Sequence, residues 1–514
     1  MMIVITHSYP GGQMNLASNL ERWAAERPSH PAVLFEGRRI GYAELDAAAS
    51  RLAHALRAHG VAAGDRVALY LPNIPEYLVA YYAAQKLGAI TVSINAVFRT
   101  AEVEYLLADS GSKVVFTVGE LAQFVPRERC PALEHLVVCE GDAPAGAATL
   151  AGWSAGRAAQ LPGVDCAADA PASLLYSSGT TGFPKGVTLT QSNIATNIAT
   201  AASCSGYRED DRLAVFLPLF HVYGQNYIMN AAVLAGATLV LFRRFVPDQV
   251  LEAIGRERVT MFFGVPTIFI GLLSTDLSRY DLSSIRYEMS AAATMPEEIS
   301  RRWTERFGRR VYEGYGLTEC SPFACYNDLV EHRFGSVGRA VEGFELAIFD
   351  ETDREVPRGE WGEIVIRGPG VMKGYWNRPA DTAQALRGGW LHSGDIGRMD
   401  DDGYVYIVDR VKDMINLSGF KVWPAEVEQY LYKLPQVQEV AVYGVPHPEK
   451  GEQVVAAVVP KPGETITADE VIAYCRANIA AYKVPARVDV VAELPKSPTG
   501  KILKRILRDQ AAKA

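Results

Sequence analysis

Short apolar runs alternate with amphipathic segments along the first two thirds of the chain. The run RVALYLPN at 66–73 precedes a helical pattern, IPEYLVAYYAAQKLGA, which leads to a second apolar run, ITVSIN, at 90–95. The same order recurs at 237–266, where ATLVLF, PDQVLEAIGRER and VTMFFGVP follow one another. Strands that alternate with helices of about 10–15 residues are typical of parallel sheets covered by helices on both faces. The pattern predicts an α/β fold for this large part.

The pattern changes near residue 335. There ELAIFD, GEIVIRG and GYVYIVDR read as strands separated by turns, which predicts a small antiparallel barrel-like or sheet subdomain at about 335–409. After Arg410 an α+β module follows, with a helix opened by Pro424 and a capping box of Thr467 and Glu470. We place the N-terminal domain at 1–409 and the C-terminal domain at 410–514, joined within VDRVKD.

Length and composition narrow the class of protein. A chain of 514 residues with 49% apolar and 21% charged residues is typical of a globular protein of two to four domains. A net charge of −8 argues against nucleic-acid binding, which requires a basic surface. The seven cysteines lack CxxC spacing, and no apolar stretch is long enough to span a bilayer. We expect a cytoplasmic enzyme and leave its oligomeric state open, a homodimer included.

The segment YSSGTTGFPKG, at 176–186, combines glycines, hydroxyls and one lysine directly after an apolar strand. It is not a P-loop, because Pro184 precedes Lys185 and Gly186 stands where a metal-binding Ser or Thr would follow. Backbone N–H groups and hydroxyls still favour phosphate binding over a flexible connector.

Six motifs in order resemble those of the adenylate-forming superfamily, which includes acyl-CoA synthetases, amino-acid adenylation domains and beetle luciferases. They are YSSGTTGFPKG (176–186), LPLFHVYG (217–224), YEGYGLTE (312–319), GWLHSGD (389–395), VDRVKDMINLSGFKVWPAEVE (408–428) and PKSPTGK (495–501). The resemblance covers almost the whole chain. It implies a carboxylate that attacks the α-phosphate of ATP to form acyl-AMP and pyrophosphate, then transfer of the acyl group to coenzyme A. It also implies Mg²⁺ and a C-terminal domain that rotates between the two steps.

The resemblance also assigns residues to roles. Ser177 and Glu319 would hold Mg²⁺, Lys501 would stabilise the adenylation transition state, and Lys412 would be the hinge. The implied nucleotide and coenzyme A contacts are Ser177, Ser178, Gly179, Thr180, Thr181, Lys185, Glu313, Gly314, Tyr315, Gly316, Thr318, Asp395, Ile407, Arg410, Ser418, Gly419, Phe420 and Lys501. The implied acid contacts are His221, Gly224, Gly264, Ala291, Ala292 and Gly316. Thr318, Glu319 and His221 join Lys501 and Lys412 in the catalytic set.

Taken singly, these residues have simpler interpretations. Glu319 is equally typical of a carboxylate at a helix N-terminus, and Asp395 of a turn after glycine. Lys501 could be an exposed tail lysine, as we expect of its neighbours Lys496 and Lys504, and His221 a satisfied core histidine. The order of the six motifs is what favours the functional interpretation.

The acid pocket offers no partner for a second charge. LPLFHVYGQNYIMN contains no acidic residue to pair with a substrate ammonium, and MFFGVPTIFIGLLST contains no Lys or Arg for a second carboxylate. An amino acid or a dicarboxylate is therefore disfavoured, because a buried unpaired charge is costly. A medium- or long-chain fatty acid is the first expectation, and an aryl acid of the benzoate or cinnamate type is the alternative.

Two other classes of function remain open at this stage. The enzyme could load a carrier protein rather than coenzyme A, although no insertion that would hinder rotation precedes the C-terminal domain. The chain could also be a silent nucleotide-binding scaffold. Against that, the functional residue type is kept at Thr181, Lys185, Glu319, Asp395, Arg410 and Lys501.

Overall fold

The computed structural model describes residues 13–177, 184–328, 330–410, 413–418, 420–498 and 500–511. The strands of the first half are β1 (Gln13–Met14), β2 (Pro31–Phe35), β3 (Arg38–Gly41), β4 (Arg66–Tyr70), β5 (Ile90–Ser93), β6 (Val114–Thr117), β7 (His135–Val138), β8 (Ala148–Thr149), β9 (Cys166–Ala167), β10 (Pro171–Ser177), β11 (Lys185–Thr190), β12 (Arg212–Val215), β13 (Thr238–Leu241) and β14 (Met261–Gly264). Those of the second half are β15 (Tyr287–Ser290), β16 (Val311–Tyr315), β17 (Cys325–Tyr326), β18 (Arg339–Ala340), β19 (Glu345–Phe349), β20 (Gly362–Arg367), β21 (Gly374–Tyr375), β22 (Leu391–Met399), β23 (Val405–Arg410), β24 (Ile415–Leu417), β25 (Phe420–Val422), β26 (Val437–His447), β27 (Gly451–Pro460) and β28 (Arg487–Val490).

Helices connect most of these strands. They are α1 (Ala17–Glu26), α2 (Tyr42–Ala58), α3 (Pro75–Lys86), α4 (Thr100–Ser110), α5 (Gly119–Ala122), α6 (Leu150–Ser154), α7 (Gln191–Cys204), α8 (Ala231–Ala235), α9 (Pro247–Glu257), α10 (Pro266–Leu273), α11 (Glu297–Phe307), α12 (Pro379–Ala385), α13 (Pro424–Leu431), α14 (Ala468–Asn478) and α15 (Lys504–Ala511). A π-helical segment, Tyr223–Asn230, runs directly into α8. None of the described helices is long and apolar enough to span a bilayer.

Two large sheets form the N-terminal part. One has the order β21-β11-β10-β5-β4-β6-β7-β8 and the other β18-β17-β16-β15-β14-β12-β13-β2-β3. The inner strand pairs are parallel, and antiparallel pairs occur at the edges, such as β10 with β11 and β16 with β17. The inner strands β4, β5 and β14 lie within the apolar runs that the sequence pattern marked. The predicted α/β fold is confirmed.

The β-rich part and the C-terminal part follow the expected change of pattern. Strands β19, β20, β22 and β23 form an antiparallel sheet of that order, and in the described residues β19 and β23 do not pair, so it is an open sheet rather than a barrel. Helix α13 begins at Pro424, and Thr467 accepts a hydrogen bond from the backbone N–H of Glu470, as the capping box requires. The proposed boundary at 409/410 stays a prediction, since Lys412 lies outside the described residues.

One buried ion cluster ties α1, α2 and α3 together. The Lys86 ammonium is 2.5 Å from Glu21 and 2.8 Å from Asp46, and the side chain is almost fully buried. Its remaining donor reaches the carbonyl of Leu161 at 2.8 Å. A buried ammonium is tolerated because its partners replace water. This cluster fixes the helices behind the first sheet, away from the cavity described next.

Candidate functional site

A cavity of about 1320 Å³ opens where the carboxyl ends of strands from both large sheets meet the C-terminal part. Ligands of open α/β sheets bind at such strand ends. Strands β10, β11, β15 and β16 each supply wall residues, and the loop that follows β28 closes the cavity from the C-terminal side. The cavity has a polar end near Glu319 and an apolar end near Met289.

The polar end is organised around one carboxylate. Glu319 follows β16 in a short 3₁₀ turn and is 8% exposed. Its Oε1 accepts hydrogen bonds from the Ser177 hydroxyl at 2.9 Å and the Tyr375 hydroxyl at 3.1 Å. Lys185, at the start of β11, forms an ion pair with Asp381 of α12, and its ammonium lies 5.2 Å from the Tyr375 ring centroid. Cations, hydroxyls and a lone carboxylate together suit a polyphosphate with a divalent cation.

A second carboxylate lies behind the polar wall. The Tyr315 hydroxyl donates to Oδ2 of Asp395 at 2.8 Å. Burial, and then the charge of Asp395, raise the pKa of Tyr315 well above its usual value, so this phenol stays a donor. Asp395 lies opposite Arg410 in the register of β22 and β23. The arrangement gives a fixed acceptor for hydroxyl groups beside the polar end.

His221 and Lys501 face one another across the cavity. The His221 Nδ1 accepts a hydrogen bond from the backbone N–H of Tyr223 at 3.2 Å, so a neutral ring carries its proton on Nε2. Burial in the cleft, and then repulsion by the Lys501 ammonium, lower the pKa of His221 to about 4. The imidazole is therefore neutral near pH 7 and can donate, but not supply positive charge.

The loop that carries Lys501 docks closely on the N-terminal part. The Thr267 hydroxyl donates to the Gly500 carbonyl at 3.0 Å. Gly500 has a φ of +79°, and a Cβ built on it would lie 2.7 Å from the Val265 side chain. Within the loop, the backbone N–H of Lys501 donates to the Ser497 hydroxyl at 3.1 Å. Glycine is required here both for its backbone angle and for close approach.

The cavity brings together many of the residues that the sequence singled out. Those on its wall are Ser177, Lys185, His221, Ala291, Ala292, Gly314, Tyr315, Gly316, Thr318, Glu319 and Lys501. Lys496 and Lys504 pair with Glu439 and Glu428 at 2.7 and 2.9 Å. Ser178, Gly179, Thr180, Thr181, Lys412 and Gly419 lie outside the described residues.

Seven expected contacts are absent from the wall that the described residues form: Glu313, Gly224, Gly264, Asp395, Ile407, Ser418 and Phe420. The side chain of Arg410 lies outside the described part of the chain. Glu313 is buried within β16 and lies outside this wall, although Gly314 and Tyr315, which follow it, line the cavity. Gly224 and Gly264 pack on the Pro218 carbonyl and the Phe269 ring. Ser418 and Phe420 are exposed in the C-terminal part, and Phe420 stacks on Tyr482.

Sequence reasoning missed several wall residues. Tyr375 and Asp381 reach the polar end because β21 pairs with β11, a contact between segments almost two hundred positions apart. Glu363 also lines the cavity and accepts from His392 Nδ1 at 2.8 Å. The run GYWNRPADT was a possible signal for Tyr375 and Asp381, since it combines aromatic and turn-forming residues just before a short helix.

Comparison with known proteins agrees with this geometry. Residues 20–376 match the family model described as AMP-binding enzyme, and 426–501 match the AMP-binding enzyme C-terminal domain. A feruloyl-CoA synthase from an Amycolatopsis species is 38% identical over 502 residues, which is 95% of this chain and 97% of that protein. A long-chain-fatty-acid–CoA ligase from Bacillus subtilis (strain 168) is 35% identical, with 98% and 96% covered. An anthranilate CoA ligase in complex with anthranoyl-AMP superimposes with a TM-score of 0.92 at 31% identity, over 98% of this chain and 99% of that one.

The chain therefore belongs to the AMP-binding, adenylate-forming family of enzymes. It is an acid–thiol ligase that uses ATP to join a carboxylic acid to coenzyme A.

The docking of Gly500 gives a first prediction. Gly500→Ala places a methyl group against Val265 and strains the backbone, so the loop cannot seat and Lys501 withdraws. We expect acyl-AMP formation, measured as pyrophosphate release, to fall by at least about tenfold. Thiolysis of supplied acyl-AMP is expected to change by less than about threefold, because that step does not need this contact.

Gly463→Ala is the matched control. Gly463 also has a positive φ, of +81°, but nothing lies within 4 Å of the added Cβ. The Gly463→Ala variant has the same kind of backbone strain but no steric clash, so it should form acyl-AMP at the normal rate. Equal loss of adenylation in both variants would show that strain, not docking, is responsible.

The low pKa of His221 gives a second prediction. Its folded pKa lies below the usual 6.5, so the stability it contributes is present above pH 6.5 and is lost as the pH falls towards 4. Lys501→Met removes the repelling charge and should raise the pKa of His221, although burial keeps it below 6.5. Lys501→Arg keeps the positive charge and should leave the pKa of His221 unchanged. An NMR titration of isotope-labelled histidine measures this, and identical pKa values in both variants would exclude any influence of Lys501.

Proposed function

We propose that this ligase activates a compact aryl acid with no charged group besides its carboxylate. It converts this acid to an acyl-AMP and then to the coenzyme A thioester. The observation that carries this proposal is the aromatic wall at the apolar end of the cavity. The sequence favoured a fatty acid first, and that prediction stays open as the second candidate.

The wall consists of rings packed against one another. The centroids of Tyr227 and Phe323 are 4.9 Å apart, and those of Tyr223 and Tyr227 are 5.5 Å apart. Met289 and Gly314 complete this end, and a Cβ on Gly314 would lie 2.3 Å from the Met289 methyl group. Flat, rigid walls of this kind suit a planar ring, because aromatic pairs gain energy beyond the burial of apolar area.

Hydrogen bonds fix the wall from behind. The Tyr227 hydroxyl lies 2.6 Å from Ser205 Oγ, and the Tyr287 hydroxyl donates to the same Ser205 at 3.1 Å. Tyr287 in turn lies 3.0 Å from the Tyr326 hydroxyl. The cluster holds Tyr227 in place, and a rigid aromatic wall favours a planar ring as its neighbour. The cluster therefore supports the aryl acid.

A fatty acid keeps support from two observations. The residues at the apolar end carry no charge, and relatives of similar identity are named long-chain-fatty-acid–CoA ligase as well as feruloyl-CoA synthase. Side chains such as Met289 adapt readily to ligands of different shape. A medium chain is the form of this candidate that the cavity accommodates best.

In the first step we assign Lys501 to the developing charge between the acid carboxylate and the α-phosphate. Two anions must meet there, and an ammonium placed beforehand lowers that barrier. His221, neutral and with its proton on Nε2, orients the carboxylate. Lys185 and Thr318 hold phosphate oxygens at the polar end, and the Asp395–Tyr315 pair holds the ribose hydroxyls.

Magnesium fits the polar end. No group of three or more His, Cys, Asp or Glu side chains within the described ranges forms a metal cage of its own. Glu319 and the Ser177 hydroxyl would instead hold Mg²⁺ together with phosphate oxygens, as this cation prefers. When bound there it would neutralise phosphate charge.

For the second step we assign the coenzyme A contacts to the segment around Gly419. Ser418 and Phe420 are exposed, outside the cavity, while Lys501 occupies it. Rotation about Lys412 would exchange the two segments, so that one cleft serves both steps. We keep the cytoplasm as the expected location and a homodimer as an open possibility.

A panel of acids tests the substrate class. Acyl-CoA formation is measured with benzoate, cinnamate, 4-hydroxycinnamate, octanoate and palmitate at fixed ATP and coenzyme A. We expect kcat/KM for the best aryl acid to exceed that for either fatty acid by at least about tenfold. The reverse ranking would favour the fatty-acid candidate.

The Tyr223 hydroxyl refines this prediction. It is buried in the wall, and within the described part of the chain it has no hydrogen-bond partner. A buried hydroxyl without a hydrogen-bond partner costs about 1–3 kcal/mol of free energy, which a hydrogen bond from a polar ring substituent would recover. We expect the wild type to prefer 4-hydroxycinnamate over cinnamate by about tenfold, and Tyr223→Phe to lose that preference while keeping activity on cinnamate.

Tyr227→Phe is the control, because it removes a hydroxyl that is already bonded to Ser205. It should lower stability and leave the ratio of the two acids unchanged. A preference that survives in Tyr223→Phe would exclude this hydroxyl as the contact.

A further inference from the structure

The ion pair between Lys185 and Asp381 lies where the phosphates of ATP must bind. Both residues line the polar end of the cavity, as do Glu319 and Tyr375. The Lys185 side chain is 10% exposed and that of Asp381 is 34% exposed. The ammonium is thus held by a carboxylate of the protein at the position where a triphosphate needs it.

Helix α12 presents Asp381 from a fixed position. Its Thr382 hydroxyl accepts a hydrogen bond from the backbone N–H of Tyr375 at 2.9 Å. Trp376, which follows Tyr375, donates its backbone N–H to the carbonyl of Gly186, the residue after Lys185, at 2.7 Å. The carboxylate therefore cannot move far from the start of β11, whereas the lysine stem is flexible and can turn.

We propose that Asp381 is a latch that competes with the nucleotide phosphates for Lys185. In the free enzyme Asp381 holds the ammonium. ATP displaces the carboxylate and takes over the lysine, and Asp381 takes it back when pyrophosphate leaves. The latch lowers the affinity for ATP and, by the same competition, speeds the release of pyrophosphate.

The physical reason is a balance between two acceptors. When only a fraction of the enzyme has Lys185 released and able to bind ATP, the apparent Kd is the intrinsic Kd divided by that fraction. The pair is largely shielded from water, so its electrostatic attraction is stronger than that of an exposed pair. The Tyr375 ring, 5.2 Å from the ammonium, stays beside it in either position.

This inference rests on the proposed role of Lys185 as a phosphate contact, but not on the identity of the acid. It is tested by titrating the full-length enzyme with Mg·ATP in a calorimeter, without acid or coenzyme A. We expect Asp381→Asn to lower the Kd for ATP by about fivefold or more, and the KM for ATP to fall with it. The inhibition constant for pyrophosphate should fall in the same direction.

A double-mutant cycle separates the latch from a general charge effect. Lys185→Met should weaken ATP binding, and adding Asp381→Asn to it should change the Kd little, since no lysine remains to be released. If Asp381→Asn tightens binding equally in both backgrounds, or does not tighten it in the wild type, the latch is excluded. If Lys185→Met leaves ATP binding unchanged, the proposed phosphate role of Lys185 itself fails.

Asp169→Asn serves as the matched control. Asp169 forms an exposed ion pair at 3.1 Å with Lys373, which directly precedes β21, and this pair lies outside the cavity. Its loss should leave ATP binding unchanged. A purely structural role for Asp381 would lower the melting temperature without a change in the Kd, and that result would also overturn the proposal.

Discussion

One loop of the C-terminal part packs tightly on the N-terminal part at Gly500 and completes the wall of the cavity. The hydrogen bond from Thr267 to the Gly500 carbonyl and the close approach to Val265 leave no space for a side chain. This contact brings Lys501 opposite His221 and closes the cleft over its apolar end. The loop thus contributes to the environment of His221, whereas contacts within the N-terminal part build the polar end.

Electrostatic interactions strengthen where water is excluded, so the positions of the charged side chains in the closed cavity matter strongly. Burial, and then the charge of Lys501, keep His221 neutral near pH 7, so the lysine and not the histidine carries positive charge in this part of the cavity. At the other end, Lys185 and Asp381 neutralise one another, and Glu319 is satisfied by two hydroxyl groups. Groups of the protein itself therefore balance the charges at the polar end.

Much of the fold could be predicted from local pattern. The runs that form β4, β5 and β14 and the capping box of α14 depend on neighbours in sequence, and the structure confirms them. The sequence could not decide whether the β-rich part forms a barrel or an open sheet, because strand order depends on pairing between distant segments. Glu313 shows the same limit within one motif, since it is buried in β16 outside the cavity that Gly314 and Tyr315 line.

The sequence by itself determined the family, through six motifs in order, and the residue types that carry charge. It also disfavoured a second charge on the acid, since the segments that the resemblance assigns to the acid pocket offer no partner for one. The tertiary structure alone decided that Asp381 faces Lys185, that Tyr375 bonds to Glu319 and that a bonded cluster of tyrosines closes the apolar end. The reason is physical: composition and spacing record which groups are available, whereas pairing of distant strands and packing of helices decide which of them meet.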